Sequence, residues 1–223
     1  MTGHRTPTKL FLSEKKTRRK FDKEFDPVAI EIGHVARLWN ALHESLGSIF
    51  SQILKPADPH IALSVWHSQQ SDRSQREMLR AAHRAWQQIN TIDDEDKLRE
   101  DEDKISQEIS WILTECEKLS NKRNDALHTP THVSAKMRRG SSSYEFTVVT
   151  NCYNGNPRAL RLKGKDVCDE FSWYGAIAEK LYCHAVEIFI YLCDGGTFPQ
   201  RPRLPTAGQY RTHRTKRRRM PSK

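Results

Sequence analysis

Apolar residues recur at helical spacing in four long segments of this 223-residue chain, and this pattern constrains the fold more than any other feature. In the first segment the stripe consists of Ile30, Leu38, Leu42, Leu46, Ile49 and Ile53. Similar stripes occupy residues 78–89, 105–119 and 171–192. Stripes of this period predict amphipathic helices that bury one face against each other. We therefore predict a mainly α fold, an antiparallel four- to five-helix bundle.

Capping residues and prolines predict where these helices begin and end. The first long helix is expected to open at Pro27, after Asp26 as N-cap, and to end before Pro56. A short helix can follow Asp58-Pro59. Proline after the third stripe, at position 130, predicts that this helix ends close to His128.

The other predicted boundaries are of the same kind. Ser71 or Asp72 can cap the second long helix, and Asp166 can open the last one. Gly195-Gly196 should terminate the last helix, since glycine readily adopts the left-handed conformation found at helix C-termini.

The sequence changes character between the third and last stripes. Residues 133–137, 144–150 and 159–162 have the pattern of short strands, separated by the turn-rich segments 140–143 and 154–157. This predicts a small antiparallel β insertion at about 131–163, before the last helix.

Charge is distributed unevenly along the chain. Residues 1–20 carry a net charge of +6 and residues 201–223 carry +9, so the total of +9 leaves about −6 for the rest. We expect basic disordered tails at 1–20 and 197–223 around a bundle at 21–196. Such tails can attract phosphate backbones without reading sequence, or they can simply keep the protein in solution.

Several classes of function lack their sequence signals. No apolar run approaches the roughly 18 residues that span a membrane, and the basic N-terminus lacks the apolar stretch of a secretory signal, so we expect a cytoplasmic protein. The sequence contains no Walker loop, Rossmann glycine fingerprint or nucleophile elbow. Histidines and cysteines are not paired at zinc-site spacing, and we expect neither a metal nor a cofactor.

The segment from Lys122 to His128 is the best candidate for a functional site. Arg123 is followed by Asn124 and, after four intervening residues in all, by His128. A histidine can transfer protons near neutral pH, and an arginine matches phosphate oxygens with a planar fork of donors. Asn124 lies four residues before His128, on the same helical face, and could orient the imidazole. Lys122 could add a further contact to phosphate.

This segment resembles the signature of the HEPN superfamily, in which an Arg is followed after four to six residues by a His, usually with a polar residue next to the Arg. HEPN proteins are helical bundles, and many are metal-independent endoribonucleases that act as homodimers. The resemblance implies an RNA-cleaving hydrolase with Arg123, Asn124 and His128 as catalytic residues. We expect Lys122, the cation that precedes this motif, to be a substrate-binding residue. It further implies a toxin–antitoxin or phage-defence role, with a possible antitoxin as partner.

Two other interpretations remain open from the sequence. Arg123 and Asn124 can instead cap the last carbonyls of the third helix, with His128 in the following turn. The chain can also be a non-catalytic helical module that binds nucleic acid or a protein. Arg-to-His spacings within the same four-to-six range also occur inside two amphipathic stripes, with five intervening residues at Arg37–His43 and six at Arg76–His83. His184 interrupts the apolar face of the last helix and is expected to be a hydrogen-bonded core residue or a partner of the candidate site.

Overall fold

Six helices and one two-stranded sheet form the part of the chain that the structure describes. The computed structural model describes residues 15–55, 58–90, 96–137, 144–152 and 155–207. The elements are α1 (Lys15–Ile53), α2 (Pro59–His67), α3 (Asp72–Asn90), α4 (Asp96–His128), β1 (Thr131–Met137), β2 (Tyr144–Thr150), α5 (Pro157–Arg161) and α6 (Val167–Asp194). The prediction of a mainly α fold with a small antiparallel β element before the last helix is confirmed. Within the described ranges, no helix has the length and apolar character needed to cross a membrane.

These residues fall into two compact units, and the long helices contribute to both. The helical unit comprises Val35–Arg123 and Tyr174–Thr206. The hairpin unit comprises, among the described residues, those up to His34, those within Asn124–Trp173, and Ala207.

The predicted apolar stripes form the core of the helical unit. Burial of one large aliphatic side chain contributes roughly 1.5–3 kcal/mol, so the core is the main source of this unit's stability. Its largest fully buried side chains are Trp39, Leu42, Leu46, Ile49, Trp66, Leu79, Ile105, Ile109, Ile112, Leu113 and Leu119. Ile30, which the pattern placed in the same stripe, is 61% exposed instead.

Several predicted helix boundaries are confirmed by their capping hydrogen bonds. The backbone N–H of Ser74 donates to Ser71 Oγ at 3.1 Å, at the start of α3. Asp58 Oδ1 accepts the N–H of His60 at 2.7 Å, at the start of α2. Asp166 Oδ1 accepts the N–H groups of two residues in the first turn of α6.

The predicted start of α1 is wrong. The helix begins at Lys15, and Pro27 lies inside it rather than in its first turn. Lys, Arg and Glu, which favour helices, are frequent between Lys15 and Asp26, so the helix extends N-terminally despite the proline. The predicted basic tail at 1–20 is therefore helical from Lys15, and residues 1–14 lie outside the described residues.

The β insertion contains two strands, not three. β1 and β2 pair antiparallel, with Thr131 opposite Thr150 and Ser134 opposite Thr147. The third predicted strand, at 159–162, is replaced by the short helix α5. Local interactions explain why a helix forms here. Asn156 Oδ1 accepts the N–H groups of Arg158 and Ala159, and Pro157 occupies the first helical turn. An Asn-Pro pair is a strong helix-start signal, and it prevails over the β-like pattern here.

Gly47 allows α1 and α2 to approach closely. A Cβ atom at this position would lie 2.8 Å from Nε1 and 2.9 Å from Cδ1 of Trp66, whose side chain is fully buried. Phe50, one turn further along α1, contacts the same indole with ring centroids 5.7 Å apart. Gly47 is therefore a packing residue, although glycine is unfavourable inside a helix.

We expect Gly47→Ala to destabilise the protein by about 1–3 kcal/mol, because the buried Trp66 ring would have to move. Urea denaturation gives the free energy of unfolding. Gly33→Ala is the matched control, since a methyl group added to Gly33 in the same helix would meet no other side chain of the described residues within 4 Å. That control should be stabilised by up to about 1 kcal/mol through helix propensity. Equal effects of the two changes would contradict a packing role for Gly47.

Candidate functional site

The four predicted site residues lie on the last two turns of α4. The helix is unbroken through His128 and ends there, before Pro130, as the sequence predicted. His128 is exposed, whereas Lys122, Arg123 and Asn124 are half-buried. Asn124 and His128 are four residues apart and therefore share one face of the helix. Arg123 is about 140° around an ideal helix from His128, so the two side chains leave α4 in different directions.

Arg123 is held within the helical unit by an acid and an aromatic ring. Its Nη2 lies 3.7 Å from Asp72 Oδ2, and its guanidinium carbon is 5.7 Å from the centre of the Trp39 ring. The Trp39 indole N–H donates to the same Asp72 oxygen at 2.7 Å. Asp72 thus links a buried tryptophan to an arginine whose side chain is 23% exposed. These contacts hold the guanidinium between the Asp72 carboxylate and the Trp39 ring.

Lys122 lies beside an aromatic ring of the same unit. Its Nζ is 6.0 Å from the centre of the Tyr174 ring, at the outer limit of a cation–π contact. The role of Lys122 as a substrate-binding residue stays a prediction.

A buried histidine and a buried arginine lie against the same tryptophan. Arg76 Nη1 donates to His43 Nε2 at 3.0 Å, and His43 Nδ1 donates to the Trp39 carbonyl at 3.1 Å. The guanidinium carbon of Arg76 is 5.5 Å from the centre of the Trp39 ring. These two bonds require a neutral imidazole, because Nε2 must accept from the guanidinium.

The electrostatics of His43 agree with this tautomer. Burial, the largest cause, lowers its pKa to about 4. The Asp72 carboxylate and the Trp39 carbonyl oppose the shift, and the cations of Arg76 and Arg123 reinforce it. No local sequence signal indicated this pairing: His43 and Arg76 belong to different Arg-to-His spacings and lie 33 residues apart.

Asp125 has a structural partner that the sequence did not indicate. This residue lies inside the motif and is 4% exposed. Arg161, in the same hairpin unit, donates two hydrogen bonds to the Asp125 carboxylate, from Nε to Oδ2 at 2.9 Å and from Nη2 to Oδ1. The side chain of Arg161 is 53% exposed. The Arg161 guanidinium is therefore bound to a residue of α4 that follows Asn124 directly and precedes His128 by three positions.

His184 is a core histidine, as one of the two interpretations predicted. It is 1% exposed, and its Nε2 lies 3.1 Å from Oε2 of the buried Glu108. Arg201 binds the same carboxylate at 2.9 and 3.0 Å through Nε. The structure describes residues 197–207, the first part of the predicted C-terminal tail, and Arg201 binds this part to Glu108 of the helical unit. Residues 208–223 lie outside the described residues.

Comparisons of the chain with models of protein families, with curated proteins and with solved structures find no match. Among the residues that the structure describes, no three His, Cys, Asp or Glu side chains are grouped to hold a metal ion.

The depressed pKa of His43 predicts a pH-dependent stability. Between its folded pKa of about 4 and the ordinary value of 6.5, the unfolded chain binds a proton that the folded chain does not. The free energy of unfolding contributed by His43 is therefore complete above pH 6.5 and falls as the pH drops toward 4. We expect a loss of roughly 2 kcal/mol between about pH 7.5 and 5.

Urea denaturation of the wild type and of His43→Gln at several pH values measures this contribution. A glutamine can accept the Arg76 N–H but does not titrate, so its stability should fall less steeply with pH. His34→Gln, at an exposed position of the same helix, should follow the wild type. Parallel curves for His43→Gln and the wild type would show that His43 is not the titrating group.

Proposed function

We propose that this protein is a metal-independent endoribonuclease of HEPN type that acts as a homodimer in the cytoplasm. The main support is the arrangement of side chains at the end of α4. His128 is exposed, and Asn124 lies on the same helical face. Arg123, which precedes Asn124, contacts Asp72 and the Trp39 ring. In the described residues His128 has no hydrogen-bonded or ion-paired partner, so its imidazole is available for proton transfer.

The chemistry follows from these side chains. The 2′-hydroxyl of the RNA attacks the adjacent phosphorus and loses its proton to a neutral His128. The bond from phosphorus to the 5′-oxygen breaks, and a protonated His128 donates a proton to that leaving oxygen. The products carry a 2′,3′-cyclic phosphate and a 5′-hydroxyl. Water is not consumed in this step, and no electrons are gained or lost.

The other residues stabilise the charge and the geometry. Arg123 neutralises the phosphate oxygens as negative charge builds up, and its fixed orientation avoids reorganisation during the reaction. Asn124 orients the His128 imidazole or binds a phosphate oxygen, and Lys122 adds a further cation for the substrate. A homodimer supplies two histidines, so that one acts as base and the other as acid.

A toxin–antitoxin or phage-defence role is part of the proposal. Such an enzyme cleaves cellular or phage RNA, and an antitoxin would restrain it until needed. This part rests on the resemblance of residues 123–128 to the HEPN motif.

We expect purified protein to cleave single-stranded RNA in the presence of EDTA, with the end groups described above. His128→Ala should lower the rate at least about 100-fold, since a proton-transfer residue contributes about that much. Arg123→Gln should lower it about 100- to 1,000-fold through loss of charge stabilisation. His34→Ala is the matched control because His34 is also an exposed helical histidine. An oligonucleotide with a 2′-deoxy residue at the cleavage position should remain intact.

If His128→Ala cleaves as well as the wild type, the catalytic proposal is wrong. If no variant cleaves but all bind RNA, the chain is a non-catalytic module. In that case removal of residues 1–14 and 208–223 should abolish binding, whereas Arg123→Gln should have little effect.

The dimer has its own test. Sedimentation velocity should give a mass of about 52 kDa, twice the 25.9 kDa of one chain, at concentrations where the enzyme is active. A single species near the mass of one chain, together with full activity, would exclude a site that needs two subunits.

A further inference from the structure

The hairpin unit contains a polar cleft that the proposed chemistry does not use. It lies between the β1–β2 hairpin and the turn that follows α5, with a volume of about 660 Å³. Its polar lining residues include His132, Ser134, Thr147, Lys163, Lys165 and Asp166. A volume of this order falls within the range of small-molecule sites and is sufficient for one nucleotide.

The hairpin supplies the hydrogen-bonding wall of this cleft. His132 and Ser134 are two residues apart on β1, so their side chains project from the same face of the sheet. Ser134 is paired with Thr147 across the hairpin, which brings two hydroxyl groups side by side. Hydroxyl groups both donate and accept hydrogen bonds, as a ribose or a base edge requires.

The turn after α5 supplies the charge. Lys165 Nζ lies 3.2 Å from Oε2 of the buried Glu170, so this cation is neutralised. The carboxylate of Asp166, which also lines the cleft, accepts the N–H groups of Cys168 and Asp169. Lys163 is exposed and forms no ion pair within the described part of the chain. Lys163 is therefore a cation at the cleft without an ion pair in the described residues, and the Asp166 carboxylate lies in the same lining.

The same turn is connected to the candidate motif within this unit. Arg161, two residues before Lys163, donates hydrogen bonds to Asp125 from its Nε and Nη2 atoms. Asp125 and His128 are three residues apart on α4 and are therefore neighbours on the helix surface. Gly164 adopts a φ of +75°, which turns the chain sharply between Lys163 and Lys165. The Arg161–Asp125 pair thus connects the turn that carries Lys163 to α4 within the hairpin unit.

We propose that this cleft binds one nucleotide of a single-stranded RNA, with Lys163 on its phosphate and the hairpin side chains on its sugar and base. The proposal rests on the proposed function for the identity of the ligand as RNA. A single strand suits the site because splayed nucleotides expose the edges that hydroxyl groups and imidazoles can bind. Phosphate contacts from lysines position the strand without reading its sequence.

The test is RNA binding by full-length protein in the His128→Ala background, which prevents cleavage. Fluorescence polarisation with a labelled single-stranded oligonucleotide gives Kd at several salt concentrations. Lys163→Gln should raise Kd for every sequence and reduce the slope of log K against log salt by about 0.7–1. Ser134→Ala with Thr147→Val should raise Kd without changing the slope, because no charge is removed.

Lys180→Gln is the matched control, since Lys180 is an exposed lysine on α6 outside the cleft. The proposal is overturned if Lys163→Gln and Lys180→Gln give the same Kd and slope. It is also overturned if Lys163→Gln binds normally while removal of residues 208–223 abolishes binding. Failure of the wild type to cleave RNA, with the Lys163 effect intact, would refute the proposed activity and leave this binding site standing.

Discussion

Trp39 is the residue on which the environment of Arg123 depends. Its indole is 1% exposed, and its N–H is satisfied by Asp72, so a large apolar group is buried without an unsatisfied donor. Two guanidinium groups and one imidazole lie against its ring. Removing this ring would leave a void and would also release Arg123 from one of the surfaces that orient it. Packing and electrostatics are therefore inseparable at this point of the helical unit.

Two carboxylates of the helical unit, the half-exposed Asp72 and the buried Glu108, each bind two partners. Asp72 serves Trp39 and Arg123, and Glu108 serves His184 and Arg201. A buried carboxylate needs several donors to offset its lost hydration, and sharing provides them. Arg76 is the contrasting case. It is 4% exposed and is bonded to a neutral imidazole, and burial lowers its pKa.

Much of the helical architecture could be predicted because its signals are local. The signals are the apolar period, N-caps such as Ser71 and the proline at 130, and each of them acts within one or two helical turns. The start of α3 and the end of α4 lie where these signals predicted them. The start of α1 and the replacement of a strand by α5 were mispredicted where two local signals conflicted. At Pro27 helix-favouring neighbours prevailed, and at 157–161 the Asn156 cap prevailed over the β-like pattern.

The motif could be located from sequence, but its surroundings could not. Arg161 and Asp125 are 36 residues apart, and Arg76 and His43 are 33 apart, so only the folded chain brings each pair together. The position of residues 158–165 beside the hairpin could not be predicted either, because it depends on the two-stranded sheet and on the hydrogen bonds from Arg161 to Asp125.

The Asp125–Arg161 pair has a consequence for how such sequences diverge. A spacing motif treats the positions between its Arg and its His as variable, yet position 125 carries a buried carboxylate that matches one particular guanidinium. Replacing either partner alone would leave the other charge without its ion-pair partner. The loss of folding stability would be larger when the carboxylate remains, because Asp125 is buried and Arg161 is half-exposed to solvent. Positions 125 and 161 are therefore expected to change together during evolution. Covariation of these two columns would mark homologues that share this hairpin, even where the rest of the insertion has drifted.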